Sequence, residues 1–176
     1  MLENFRNKMQ SLSESKFIMN KVIFLKENIL MFFLIILVFF LDRYSKTFML
    51  SNLNENLIYI NDFINFDLIW NTGIGFGFLS SSSILIYNAI SVIVGIIVIA
   101  LIFISLKSDN FDKTAFSLII GGALGNFYDR ILFKAVPDFI DIHYGNFHWF
   151  TFNIADIFIT IGVICLIIKG FFIKDK

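Results

Sequence analysis

Two acidic residues, Asp138 and Asp156, bracket a short polar stretch between two apolar runs. If those runs cross a membrane in opposite directions, both carboxyls return to the same water-facing boundary. Two carboxyls in contact cannot both ionise readily, so one keeps its proton while the other serves as base. The ionised member can activate water and the protonated member can donate to a developing oxyanion, which is chemistry suited to cutting a peptide bond.

Other polar residues gather toward the same boundary. Asp42 and Lys46 lie at i, i+4 toward the far end of the first apolar run, where they can pair across one helical turn. Asn126, Asp129 and Arg130 share a helix face near the end of the third run, and Asn153 and Asp156 open the fourth. Each charge placed at the middle of a membrane helix costs roughly 2.5 to 3.5 kcal/mol on insertion scales, so several gathered in one layer imply a common site. Asn71 and Gly73, in the run 71–77 before the second apolar segment, belong to that layer. The Gly73-x-Gly75-x-Gly77 spacing lacks the lysine and hydroxyl residue of a phosphate loop and suits a tight backbone path instead. Gly121 and Gly125, four apart, allow a second helix to approach closely. Pro137, just before Asp138, is expected to end the third helix.

The elements that must position these groups are set by composition. The chain has 176 residues, 57% hydrophobic and 16% charged, with 24 phenylalanines and one proline, too apolar for a water-soluble domain of this length. A span needs about 20 apolar residues. Four segments qualify, at about 29–48, 84–106, 114–133 and 152–168. Lysine and arginine cluster before the first span, between the second and third, and after the fourth, while 47–83 contains none. The positive-inside rule therefore places both termini in the cytoplasm and the polar layer at the outer leaflet. No small-residue cleavage site follows the first span, which reads as retained.

The outer connections have strand character at 57–60 and 66–70, and Gly145-Asn146 separates two further strand-like runs, 141–144 and 147–150, as a two-residue hairpin turn. Tyr144, Trp149 and Phe150 suit headgroup depth. The expected fold class is thus an all-α integral membrane protein of four transmembrane helices with a small extracytoplasmic β-sheet or hairpin. Residues 1–28 read as a cytoplasmic extension, 29–170 as the membrane domain and 171–176 as a cytoplasmic tail.

Several chemistries find no support. Zero net charge gives no sign of a nucleic-acid partner. The single cysteine, Cys165, lies within the fourth apolar run and reads as packing. No serine–lysine or Cys–His arrangement accompanies the polar layer, and Ser80 to Ser83 read as a loop before a helix. His143, His148 and Asp141 match no strong metal spacing and read as polar contacts.

At Asp42-Arg43-Tyr44-Ser45-Lys46, Asn71-Thr72-Gly73 with Phe76-Gly77, Gly121 through Arg130, Val136-Pro137-Asp138-Phe139 and Phe152-Asn153-Ile154-Ala155-Asp156, the chain closely resembles the lipoprotein signal peptidase (signal peptidase II) family. The motifs stand in family order over roughly residues 29–170. The resemblance implies an aspartic endopeptidase of the bacterial inner membrane that removes the signal peptide from diacylglyceryl-modified prolipoproteins, just before the lipidated cysteine. It implies Asp138 and Asp156 as the catalytic pair, and Asp42, Lys46, Asn71, Gly73, Asn126, Asp129, Arg130 and Asn153 as supporting or substrate-binding residues. It implies no cofactor and no metal; the partners are the lipid-modified precursor and membrane lipid, and a monomer is expected. Ile74 and Gly75 stand where the family usually has small residues such as alanine in both places, and Ile74 adds bulk beside the expected peptide path.

Two other functions would use the same residues. A proton-coupled transporter or channel subunit would relay protons through Asp42, Asp129 and Asp156, but it calls for acids spread through the membrane depth. A structural assembly factor would use Asp42/Lys46 and Asp129/Arg130 only to join helices, leaving Asp138 without a role.

Overall fold

A computed structural model describes residues 26–53, 57–73 and 84–172. In chain order the elements are helix α1 (Lys26–Asn52), strands β1 (Ile58–Asn61) and β2 (Ile64–Asn71), helices α2 (Ile84–Lys107) and α3 (Asn110–Phe133), strands β3 (Val136–Tyr144) and β4 (Phe147–Phe152), and helix α4 (Ile154–Phe172). The expectations for 1–25, for Ile74 to Gly77, for Ser80 to Ser83 and for 173–176 lie outside the described residues.

Helix α3 is the hub of the bundle. It packs against α1, α2 and α4, and buries Ile119, Ile120, Gly121, Gly122, Gly125, Asn126, Asp129 and Arg130. Its glycines are required by closeness of approach. A Cβ on Gly121 would meet Val38 at 2.7 Å, and one on Gly122 would meet the Ala155 carbonyl oxygen at 2.5 Å. Met31 and Ile35 of α1, Val98 of α2 and Ile120 of α3 form the buried apolar cluster.

The outward faces of the other helices are apolar: Phe33 and Phe40 of α1, Ile96 and Phe103 of α2, and Phe171 of α4 are all more than half exposed. In water such a surface would be untenable, whereas acyl chains match it. By length and apolarity α1, α4 and, from Tyr87, α2 are long enough to cross a bilayer. The third expected span, α3, is not among them, since Asp112, Lys113, Asp129 and Arg130 all fall within it.

The sheet is antiparallel throughout, in the order β1-β2-β3-β4. The β3–β4 hairpin turns at Gly145 and Asn146, with Tyr144 opposite Phe147 and Gly145 at φ 58°, the left-handed conformation that glycine adopts without steric cost. Strands are therefore found where the outer connections have strand character.

Pro137 does not end α3. The helix stops at Phe133, and Lys134 closes it in the left-handed conformation (φ 58°, ψ 20°). Pro137 lies inside β3 opposite Trp70, where β3 is paired on one side only, since its contact with β4 begins at Ile140. A missing N–H is tolerated on such an unpaired edge. Likewise α4 begins at Ile154, because Phe152 is the last residue of β4.

Candidate active site

Four elements converge on Asp138 and Asp156. Asn71, the last residue of β2, is paired with Val136 and so stands diagonally across from Asp138 on the same face of the sheet. Its Nδ2 donates to Asp138 Oδ2 at 2.9 Å, while its own Oδ1 accepts the Gly73 N–H at 2.8 Å.

Asn153 caps α4. Its Oδ1 accepts the Asp156 backbone N–H at 3.2 Å and Asp156 Oδ2 accepts the Asn153 backbone N–H at 3.2 Å, a reciprocal capping box. Asn153 Nδ2, facing the other way, donates to Asp138 Oδ1 at 2.5 Å. The second Asp156 oxygen, Oδ1, accepts from Asn126 Nδ2 at 2.8 Å.

An amide oxygen and nitrogen are distinguished only by their partners. Here each asparagine oxygen meets an unambiguous donor: the Gly73 N–H for Asn71, the Asp156 N–H for Asn153, and the Lys46 ammonium for Asn126 at 2.7 Å. Each amide NH2 is therefore turned toward a carboxylate. All four oxygens of Asp138 and Asp156 thus accept an N–H.

Beneath this pair lies a buried ionic cluster. Lys46, fully buried, places its three N–H groups on Asp42 Oδ2 (2.9 Å), Asp129 Oδ2 (2.7 Å) and Asn126 Oδ1 (2.7 Å). Arg43 adds a fork onto Asp129 at 2.5 and 2.8 Å and a contact to Asp42 Oδ2 at 3.1 Å, with its guanidinium 5.0 Å from the centre of the Tyr128 ring. Asp42 Oδ1 accepts the Ala155 N–H of α4 at 3.1 Å. Buried charges persist only when paired and hydrogen-bonded, and these are.

Arg130 is not paired with Asp129. It donates to the Gly73 carbonyl at 2.6 Å and to the Asn126 carbonyl at 3.2 Å, tying α3 to the end of β2, while the Tyr87 hydroxyl of α2 donates to the Arg130 carbonyl at 3.0 Å. Arg43, Tyr87 and the Ala155 amide are the groups that sequence reasoning did not single out for the site. Charge balance is the signal that could have found Arg43, because Asp42 and Asp129 need two cations and Lys46 supplies one.

Asp138 is 2% exposed, and its pKa is pushed up to about 7. Burial is the main cause, followed by the negative charge of Asp156; the hydrogen bonds from Asn71 and Asn153 and the Lys46 charge oppose it. Two carboxyls bound to one asparagine, one of them with its pKa pushed up to about 7, can stand in different protonation states, one as acid and the other as base toward a water.

Two apolar cavities flank Asp156. One, of about 290 Å³, runs between α2, α3 and α4 and includes Val94, Leu101, Ile119 and Thr160; the other, of about 230 Å³, lies under the hairpin between Ile142, Phe150, Phe152 and Ile161. The histidines sit elsewhere. Asp141 falls on the face of β3 opposite to Asp138 by strand alternation, accepts from His148 Nδ1 at 2.7 Å, and lies 3.6 Å from His143 Nδ1. Among the described residues no group of three or more His, Cys, Asp or Glu is placed to hold a metal ion.

Residues 34–172 match the family model described as signal peptidase (SPase) II. The chain belongs to the signal peptidase II family. The match spans the bundle, the sheet and every side chain of the site just described. Among curated relatives, the lipoprotein signal peptidase of Pelagibacter ubique (strain HTCC1062) is 52% identical over 161 residues, covering 90% of this chain and 96% of the relative. That of Francisella tularensis subsp. novicida (strain U112) is 39% identical, covering 86% and 98%. A solved structure described as a bacterial membrane enzyme superposes with a TM-score of 0.70 at 32% identity, covering 83% of this chain and 92% of that one. The chain is accordingly a multi-pass bacterial membrane protein and an aspartic endopeptidase of the signal peptidase II type.

Proposed function

We propose that Asp138 and Asp156 are the catalytic carboxylates with which this peptidase removes the signal peptide from diacylglyceryl-modified prolipoproteins, cutting before the lipidated cysteine. The observation that carries the reading is Asn153, which donates to both carboxylates at once and so holds them as a pair in a buried site. With one proton on the pair, the ionised carboxylate takes a proton from water as it attacks the scissile carbonyl. The protonated one donates to the carbonyl oxygen; when the tetrahedral intermediate collapses, the first carboxyl passes the proton it took from water to the leaving amine and the second takes a proton back from a gem-diol hydroxyl.

Asp42, Lys46, Asn126 and Asp129 support Asp156 from below; Asn71, Gly73, Arg130 and Asn153 fix the position of Asp138. A lipidated precursor keeps its acyl chains in the bilayer with its cleavage point near the surface. The two apolar cavities beside Asp156 suit the apolar parts of such a substrate.

In this reading α3 is a fourth crossing, with Lys113, Asp129 and Arg130 buried in the bundle. Both termini face the cytoplasm, a topology supported by the lysine and arginine distribution. The pair then lies at the outer leaflet with the sheet above it. The membrane domain acts as a monomer with a cytoplasmic extension and tail, without metal or cofactor.

The test is cleavage of a lipidated precursor by Asp138→Asn and Asp156→Asn separately. Each variant is expected to lose turnover by a factor of at least about 10³, in line with removal of an essential acid–base group. Near-normal turnover by either folded variant rejects the pair. A substrate-dependent proton flux in liposomes without peptide cleavage would point to the transporter alternative.

A further inference from the structure

We infer that Arg43 is a positioning residue of the hydrolytic site: its fork on Asp129, shared with Asp42, leaves Lys46 free to hold the Asn126 amide toward Asp156. This rests on the reading of Asp138 and Asp156 as the reacting pair. It concerns a residue that touches neither.

The geometry runs in one direction. Arg43 reaches both oxygens of Asp129 and the Oδ2 of Asp42. Lys46 has three N–H groups and uses one on each of those two acids, so its third is available for Asn126 Oδ1. That third contact decides which end of the Asn126 amide faces Asp156 Oδ1. Asp42, held on its Oδ2 side, keeps Oδ1 for the Ala155 N–H at the start of α4, next to Asp156 itself.

Charge gives a second, independent consequence. Asp42, Asp129 and Lys46 are completely buried and sum to one negative charge; Arg43 makes the cluster neutral. Removing the guanidinium leaves an unbalanced negative charge below the pair. It also invites Lys46 to lean toward the two acids and away from Asn126. If Asn126 then turns, its oxygen would face Asp156, which penalises the ionised form.

The groups that face Asp138 are Asn71 from β2, Asn153 and Asp156 from the start of α4, Lys46 from α1 and Arg130 from α3. Lys46 is the one whose placement depends on Arg43, through the two acids they share. Extra negative charge in this surrounding raises the proton affinity of both carboxyls, so both limbs of a bell-shaped profile move toward higher pH. Substrate binding is a separate matter. Arg43 lines neither cavity beside Asp156; it borders a third, of about 340 Å³, with Phe39, Phe40, Lys46, Thr47, Tyr128 and Phe133.

The experiment measures kcat and KM against pH for full-length protein in proteoliposomes, with a synthetic lipidated precursor peptide. For Arg43→Gln, kcat is expected to fall about tenfold, KM to stay within about twofold, and both limbs to rise by about half a unit to one unit. Arg43→Lys keeps the charge without the fork, so its limbs are expected at wild-type positions with kcat between the two. The double variant Arg43→Gln with Asp129→Asn removes the charge imbalance, and its limbs are expected to return toward wild type.

A folded Arg43→Gln enzyme with wild-type kcat and pH limbs overturns the inference, as does a double variant whose limbs stay shifted. If Arg43→Gln does not fold, Arg43→Lys decides: reduced kcat with unmoved limbs supports the role, and wild-type kcat or moved limbs overturns it. Failure of the underlying reading looks different, since it requires Asp138→Asn or Asp156→Asn to retain cleavage.

Discussion

Asn153 donates its side-chain amide to Asp138 Oδ1 at 2.5 Å across the gap between a strand and a helix that are joined only through the β3–β4 hairpin. The same residue exchanges backbone and side-chain bonds with Asp156 as the N-cap of α4. A helix cap and the alignment of a carboxyl pair are therefore one structure, and the two roles can be separated by choice of substitution.

Asn153→Ser should retain a cap and lose the reach to Asp138, whereas Asn153→Ala loses both. Thermal unfolding should separate them by about 1 kcal/mol, the usual worth of an N-cap. Precursor cleavage should be lowered at least about tenfold in both. A serine variant with full activity would show that the amide contact to Asp138 is dispensable.

The raised pKa of Asp138 predicts how stability depends on pH. Its proton is held more tightly in the folded state than in the unfolded chain. That stabilisation is complete below the ordinary value of 3.8 and is lost as pH rises toward about 7. Relative to Asp138→Asn, which cannot ionise, the wild-type protein should lose a few kcal/mol between pH 4 and pH 8. Parallel thermal unfolding of the two in one detergent checks this; a difference that does not change with pH contradicts it.

Gly125 and Gly170 should respond oppositely to alanine. A Cβ at Gly125 would sit 2.3 Å from Asp42 Oδ2 and 2.9 Å from its Cγ, so Gly125→Ala must displace Asp42 from Lys46 and the Ala155 N–H. A cost of about 1 to 3 kcal/mol and a loss of cleavage follow. At Gly170 nothing lies within 4 Å, so alanine is expected to leave activity unchanged and unfolding unchanged or slightly later. Unfolding and cleavage assays on the two variants side by side provide the comparison.

Thr160 borders both cavities that meet at Asp156. Thr160→Trp fills space the substrate's apolar parts would use without touching a hydrogen bond of the site. KM is expected to rise about tenfold while the pH limbs of kcat stay in place. Unchanged KM would move the substrate out of those cavities.

Much of this was legible in the order of residues, for identifiable reasons. Apolar runs as long as a bilayer is thick have few alternatives to helix, and Gly145-Asn146 between strand-like segments has few alternatives to a hairpin. The i, i+4 relation of Asp42 and Lys46 is a local fact of helical geometry, found at 2.9 Å. Where the reading slipped, the cause was also local. Pro137 was expected to end α3, but Lys134 had already done so, and proline is equally at home on the unpaired side of a strand.

The primary structure by itself determined the inventory: which residues can carry a proton or a charge, which stretches must seek lipid or one another, and which family the chain joins. Only the tertiary structure decided the partners. It took Asp129 from its neighbour Arg130 and joined it to Arg43 and Lys46 of another helix, sent Arg130 to the Gly73 carbonyl, and turned three asparagines so that each points an amide at an acid. The physical reason is range. Backbone periodicity fixes contacts within a turn or a hairpin, but a long side chain in a low-dielectric interior pairs with whatever opposite charge the packing of separate helices brings within reach.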